Sequence, residues 1–262
     1  MSAPQTKIDL YTSGTPNGQK ANILLEELGL QYTVHAINLS QNEQKETWFV
    51  EKINPNGRIP AIVDNTPIRP IRIFESGALM LYLCEKYDTE KKISFDRDGG
   101  DGGEDYWEAV SWHTWMQSGL GPMQGQANHF YRYAPEKIRY GIDRYQTETK
   151  RLYKVLEDRL GQQEKERGAL WIAGGKYSFV DLNCFCWVNW AEWAGVGLES
   201  FPNLKRWLDR INERPAVKKG LDVPEKFEMK EKMRTKEGEE EYAKYHSNWV
   251  MQGQNEDQEK HK

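Results

Sequence analysis

The chain changes its hydrophobic rhythm partway along, and that change divides it. Ile8–Thr12 reads as a short strand, after which Gly14-Thr15-Pro16-Asn17-Gly18 breaks the pattern. Ala21, Leu24, Leu25 and Leu28 then recur at helical spacing on one packing face, and Gly29 supplies a stop. Tyr32, Val34, Ala36 and Ile37 predict a second strand, so the order strand–helix–strand points to a right-handed crossover. A short helix is expected over Glu43–Lys52, carrying Trp48 and Phe49. A turn through residues 54–60 leads into a strand at Ala61–Val63, followed by another strand around Ile71–Phe74. Glu75 and Ser76 then precede a helical pattern through Leu79, Leu81, Leu83 and Cys84, completing a compact α/β unit.

Residues 96–105 contain four glycines and four aspartates, a composition that favours a solvated boundary loop. Beyond it helical spacing takes over. One helix is expected from Glu104 through Gly121, disturbed at Pro122, and another from Pro135 to Leu160. The second has an apolar face of Ile138, Ile142, Tyr145, Leu152, Leu156 and Leu160. Ser178 can cap a following helix, with Asp181 returning the bond as a shorter variant of the capping box. Losing such a cap costs roughly 0.5–2 kcal/mol. The helix after it has apolar residues on several faces but carries Asp181, Asn183, Asn189 and Glu192, which suits a buried central helix rather than a membrane span. A further helix is expected over Asn203–Asn212. From about Pro224 the chain is densely charged; Met229, Met233, Tyr242, Tyr245 and Trp249 can wrap it locally, and its last residues are expected to be mobile.

Composition narrows the function classes. A net charge of −4 gives no broad basic field for nucleic acid. The N-terminal stretch lacks a secretory apolar core, and no window approaches the ~20 apolar residues of a membrane span. A cytoplasmic location is therefore expected. Ten Trp, thirteen Tyr and eight Phe suggest helices packed through bulky rings. Cys84, Cys184 and Cys186 make neither a disulfide framework nor a zinc cluster; the last two diverge around a helix, and all three read as buried structural cysteines.

Four stretches carry a resemblance: YTSGTPNGQKANILLEELGL (11–30), NPNGRIPAIVD (54–64), IFESGALMLYL (73–83) and SFVDL (178–182). In this order and spacing the chain resembles the glutathione transferase superfamily over about residues 6–220. TPNGQK and WMQSGLGPMQGQANHF (115–130) are similar to its fungal nitrogen-regulator-like and bacterial nu-like disulfide-bond oxidoreductase members. The resemblance implies an α/β plus all-α fold. A thioredoxin-like glutathione-binding domain would span 1–88, a linker 89–103, an all-helical substrate and dimerisation domain 104–224, and a charged extension 225–262.

The same resemblance implies a site. Asn17 and Gly18 sit where a strand hands over to a helix, and exposed N–H groups at a positive helix end can stabilise a thiolate. Asn17 can add an amide donor and Thr15 a hydroxyl, which makes them the expected catalytic pair, with Ser13 as an alternative hydroxyl. On the residues alone, Asn17 also reads as a helix cap with Thr15 ordering the turn, and Tyr11 reads as packing. No cysteine or histidine lies in this turn, so the nucleophile is expected to arrive with glutathione. Ile59, before an expected cis-Pro60, would pair with the cysteinyl backbone, and Arg58 would meet the glycine carboxylate unless it faces solvent. Glu75 and Ser76 would hold the γ-glutamyl end, with Gln19 and Asn56 completing the polar ring. Asn128, His129 and Arg132 are further contact candidates, from this domain or a dimer mate, although His129 reads equally as a packed neutral ring. Trp112 and Trp115 could wall an apolar electrophile site, or belong to the core or an interface. No metal is expected.

The implied activity is glutathione-dependent transfer, thiol–disulfide exchange, or both, in a homodimer acting on small electrophiles or disulfides. Reduced glutathione would be the co-substrate and the oxidised form a possible ligand. Glutathione peroxidase activity and a nitrogen-regulatory interaction role are the alternatives. Only Met1–Thr6 precede the first strand, so the polar, Asn-rich extension of such regulators is not expected.

Overall fold

A computed structural model describes residues 6–100 and 102–260, and within the last helix only some of the side chains. Strands β1 (Ile8–Thr12), β2 (Tyr32–Ala36), β3 (Ala61–Asp64) and β4 (Ile71–Phe74) form one mixed sheet in the order β2-β1-β3-β4. β1 pairs parallel with β2, Leu10 opposite Val34, and antiparallel with β3, where Leu10 faces Ile62. β3 and β4 are antiparallel. The alternation along β1 separates two apolar layers. Ile8, Leu10 and Ile62 join the main core with α1 (Pro16–Glu27) and α3 (Ser76–Tyr87), while Tyr11 and Ala61 pack with Phe49 of α2 (Thr47–Lys52). Tyr11 stacks on His35 at 4.6 Å, which makes it a packing residue.

This thioredoxin-like domain is followed by an all-helical one. α4 (Glu104–Trp115), a π turn at Met116–Leu120, α5 (Gly121–Asn128) and a second π turn at His129–Tyr133 run on continuously. The disturbance expected at Pro122 thus falls on its N-terminal side: the Gly121 N–H pairs with the Met116 carbonyl five residues back, and Pro122 follows at the start of α5. α6 (Arg139–Arg167) starts and ends later than its apolar face suggests, closing at Gly168 with φ +64°. α7 (Phe179–Val188) is buried at every residue. Its Asp181 accepts from the N–H groups of Ser178 and Ile172, each at 3.0 Å, and from the Trp207 indole at 2.9 Å. α8 (Pro202–Asn212), α9 (Pro215–Leu221), α10 (Met229–Lys232) and α11 (Lys236–Lys260) complete the chain. The charged tail is therefore largely helical; Tyr245 and Trp249 lie outside the described side chains. Among the described residues no helix is long and apolar enough to cross a membrane.

The helical domain grips α1. Arg214 makes a two-pronged ion pair with Glu27 at 2.6 and 2.8 Å, and Asn22 donates to the Val223 carbonyl at 2.6 Å. Gly220 of α9 lies so close to α1 that a Cβ there would stand 2.5 Å from Ile23 Cα. Backbone cannot yield to that as a flexible side chain would. Gly220→Ala is expected to lower stability by about 1–3 kcal/mol in urea denaturation. Gly119→Ala, whose methyl would meet only Leu152 Cδ2 at 3.8 Å, should be neutral or mildly stabilising.

Candidate functional site

Between the two domains lies a cleft of about 1030 Å³. Its walls are the β1–α1 turn, the loop before β3, the start of α3, residues of α5 and the flanking π turns, and Trp187. The β1–α1 turn is tight. Thr15, in extended conformation, caps α1 by accepting from the Gly18 N–H at 3.1 Å, and Pro16 takes the first helical position. A Cβ on Gly18 would fall 2.1 Å from the Ser13 carbonyl oxygen, so the turn admits only glycine there. The cap is Thr15 rather than Asn17, which leaves the Asn17 side chain free for other partners.

The partner it finds is Trp187, whose indole N–H donates to Asn17 Oδ1 at 3.2 Å. Indole has a donor and no acceptor, so this bond fixes which way the amide points and leaves the Asn17 NH₂ group as the donor available to the cleft. Gly121 and Gly125 make room for the indole: a Cβ at Gly121 would sit 3.1 Å from Trp187 Nε1, and one at Gly125 3.4 Å from its ring edge. Gln124 anchors the same residue by donating to the Trp187 carbonyl at 2.6 Å, and itself accepts from the Tyr153 hydroxyl at 2.9 Å.

At the opposite wall, Glu75 lies at φ +67°, ψ 118°, a conformation costing roughly 1–3 kcal/mol for a residue with a side chain. Its carboxylate is exposed to the cleft and 3.5 Å from Asn56 Nδ2. Ser76 opens α3 and is buried. Its oxygen lies 3.4 Å from Lys20 Nζ and 3.3 Å from Gln117 Nε2, both donors, so its own O–H remains to donate elsewhere. Asn54 shapes the adjoining loop, accepting from the Asn56 N–H at 2.9 Å and donating to the Arg58 carbonyl at 2.6 Å. Arg58 and Ile59 line the cleft, and the Ile59–Pro60 bond is cis. Asn128 and His129 line it from the helical side. Among the described residues the buried Asn128 Oδ1 has no partner, and burial, with Lys137 nearby, pushes the His129 imidazolium below its usual range.

Two expected contact residues lie elsewhere. Gln19 is fully buried and accepts from the Trp190 indole at 2.9 Å, because two residues along a helix from Asn17 is nearly its opposite face. Arg132 donates to the Trp193 carbonyl at 3.0 Å, lies over the Trp193 ring and pairs with Glu239, so it docks α11 rather than a ligand. Ser13 is absent from the lining, and Trp112 and Trp115 pack against the core. The residues that sequence reasoning missed are Lys20, Gln117 and Trp187. Lys20 was accessible in principle, because it stands one helical turn from Asn17 on the same face. At the mouth, Val250 and Gly253 of α11 close one side of the cleft. The three cysteines are buried; burial pushes the Cys84 and Cys184 thiols well up and Cys186 to about 12, so none supplies a thiolate near neutral pH.

Comparison with known proteins defines the class. Residues 15–86 match the glutathione S-transferase N-terminal domain and residues 122–215 the C-terminal domain. The chain belongs to the glutathione S-transferase superfamily and resembles its fungal Ure2p-like proteins and bacterial disulfide-bond oxidoreductases. It is 39% identical over 223 residues to the disulfide-bond oxidoreductase YfcG of Escherichia coli, covering 82% of this chain and 94% of that one. A glutathione transferase homologue from Lodderomyces elongisporus, solved with two glutathiones per subunit, is 39% identical with a TM-score of 0.78, covering 83% and 99% of the two chains. Ure2p in complex with S-hexylglutathione is 31% identical with a TM-score of 0.76, again covering 83% and 99%.

Because Arg132 serves α11, Arg132→Ala is expected to speed amide hydrogen exchange across 236–260 while leaving exchange in β1 and β3 unchanged. Unchanged exchange in α11 would return Arg132 to the list of cleft residues.

Proposed function

We propose that the protein binds glutathione in this cleft, activates its sulfur at the start of α1 and uses it in transfer to electrophiles and in thiol–disulfide exchange. The observation that carries the reading is the Asn17 amide, held by Trp187 with its donors free, in the same cleft as Glu75 and Ser76. The sulfur lies beside the Asn17 NH₂ and the Thr15 hydroxyl, and the positive end of α1 favours its anion. The γ-glutamyl ammonium meets Glu75, its carboxylate meets the Ser76 hydroxyl, the cysteinyl backbone pairs with Ile59, and Arg58 faces the glycine carboxylate. Asn128 and His129 face the second substrate, with His129 neutral.

Two reactions follow from one thiolate. With an electrophilic carbon, a C–S bond forms and the leaving group departs with its electron pair. With a disulfide, the glutathione sulfur bonds to one sulfur while the other leaves as a thiolate; a second glutathione then attacks the mixed disulfide, giving oxidised glutathione and the reduced thiol. The name of the similar YfcG, a disulfide-bond oxidoreductase, and the lack of any thiolate-forming cysteine in this cleft favour exchange as a principal activity. A homodimer is part of the proposal: β4 is an edge strand whose Ile71 and Phe74 are exposed, as is Trp107 on α4.

Ultraviolet titration of bound thiolate tests the activation. Asn17→Ala should raise the bound thiol pKa by about one unit or more, equivalent to ~1.4 kcal/mol, with Thr15→Ala acting in the same direction. An unaltered titration in both variants would reject these roles even if turnover fell. Trp187→Phe, which keeps a ring but removes the N–H, should shift the titration the same way by less, because the amide survives and only its anchor is lost. Failure of both electrophile and mixed-disulfide assays, with glutathione bound, would point instead to a regulatory protein.

A further inference from the structure

The position of Lys20 in the cleft is hard to explain by folding alone. It is 1% exposed yet lines the cleft, one turn along α1 from Asn17. Its ammonium donates to Gln117 Oε1 at 2.8 Å and lies 3.4 Å from Ser76 Oγ and 3.8 Å from Met116 Sδ. Among the described residues no carboxylate forms an ion pair with it. A buried ammonium with neutral partners alone is an expensive arrangement, and methionine or leucine would fill the same space without the cost.

The surroundings show what would offset that cost. Ser76 begins α3, whose N-terminal end is electropositive, and its hydroxyl has a proton to give. Glu75 stands beside it with a carboxylate in the cleft. Ammonium, hydroxyl and helix end therefore converge on one spot suited to an anion, with an acidic group alongside suited to a cation. That pattern is complementary to the zwitterionic head of an α-amino acid.

We propose that Lys20 is a specificity-determining residue of this cleft, its ammonium receiving the α-carboxylate at the amino-acid end of the bound peptide while Glu75 receives the neighbouring ammonium. The inference rests on the glutathione reading above and adds the residue that selects a free amino-acid head. It also carries a proton linkage. Without ligand, burial lowers Lys20 to about 7, opposed more weakly by the Glu75 carboxylate; the Cys186 and Cys184 thiols of α7 that also face it stay protonated there. His113 of α4 also faces it; burial foremost, with Lys20 adding to it, holds that ring near 4, so it is neutral throughout the relevant range. A bound carboxylate raises the Lys20 pKa. Binding is thus proton-neutral well below pH 7 and takes up a proton above it, so affinity falls as pH rises.

Calorimetry with S-methylglutathione tests this, because the blocked sulfur removes thiol titration. In the wild-type protein, affinity should fall about tenfold between pH 6 and pH 8, with proton uptake at pH 8 visible as a dependence of the heat on buffer ionisation. The matching S-methyl 4-aminobutyryl-cysteinylglycine, which lacks the carboxylate, should bind at least about tenfold more weakly and show no uptake. Lys20→Met should shrink the preference, leaving the part that Ser76 and the start of α3 supply, and erase the pH slope; Lys20→Gln serves if the first variant does not fold. A variant that keeps the full wild-type preference would overturn the assignment. If the wild-type protein binds no S-methylglutathione at any pH, the glutathione reading itself falls and this one with it.

Discussion

Two indoles hold the working end of α1. Trp187 donates to the side-chain carbonyl of Asn17, and Trp190 to that of Gln19, from neighbouring turns of one buried segment. Each indole can only donate, so each amide has one permitted orientation. At Gln19 this satisfies the amide oxygen of a core residue, whose nitrogen has no partner among the described residues. At Asn17 it turns the amide donors toward the cleft, and the chemistry we assign to that cleft depends on this direction.

The constraint also explains why the domains cannot be considered separately. The thioredoxin-like domain supplies the turn, the cap and the acidic strand end, but the helical domain orients them. Gly121 and Gly125 admit the Trp187 ring and Gln124 fixes its backbone. Across the cleft Gln117 reaches Lys20 and Ser76 at once, joining α1 to the first turn of α3. Arg214, Asn22 and Gly220 keep α1 close enough for these bonds to form. A polar site built across such an interface is costly wherever a partner is missing; among the described residues the Asn128 oxygen has none and the Lys20 ammonium has only neutral ones, and these are where ligand contact would relieve the cost.

Much of this was legible from the chain. The α/β half announces itself through alternation, turn residues and one helical face, and the motifs brought together Asn17, Thr15, Asn56, Arg58, Ile59, Glu75 and Ser76 in one cleft. What stayed hidden has physical reasons. Trp187 sits in a helix that is apolar all round, so nothing in its spacing separates it from the core. Gln19 and Lys20 are adjacent polar residues, and helical geometry, not polarity, puts the lysine in the cleft and the glutamine in the core. The end of α6 was read too early because Gln162–Arg167 favour helix without burying an apolar stripe. Arg132 looked like a ligand contact because its partner, Glu239, lies more than one hundred residues away. The charged extension was expected to wrap locally through Met229, Met233 and Tyr242, and these do pack with Trp193; what its polar residues masked is the length of its helix.

The relatives place the chain in its superfamily without fixing which reaction it performs, and α11 lies beyond the matched domains while two of its residues line the cleft mouth. Substrate choice is therefore the property in which this chain can differ most from them. The claim beneath any such choice is that a glutathione sulfur sits at the start of α1. A crystal structure of the protein with bound glutathione measures this directly. The account predicts the sulfur within about 3.5 Å of Asn17 Nδ2, with the γ-glutamyl head against Ser76. A tripeptide bound with its sulfur turned away from α1, or seated outside the interdomain cleft, would contradict it.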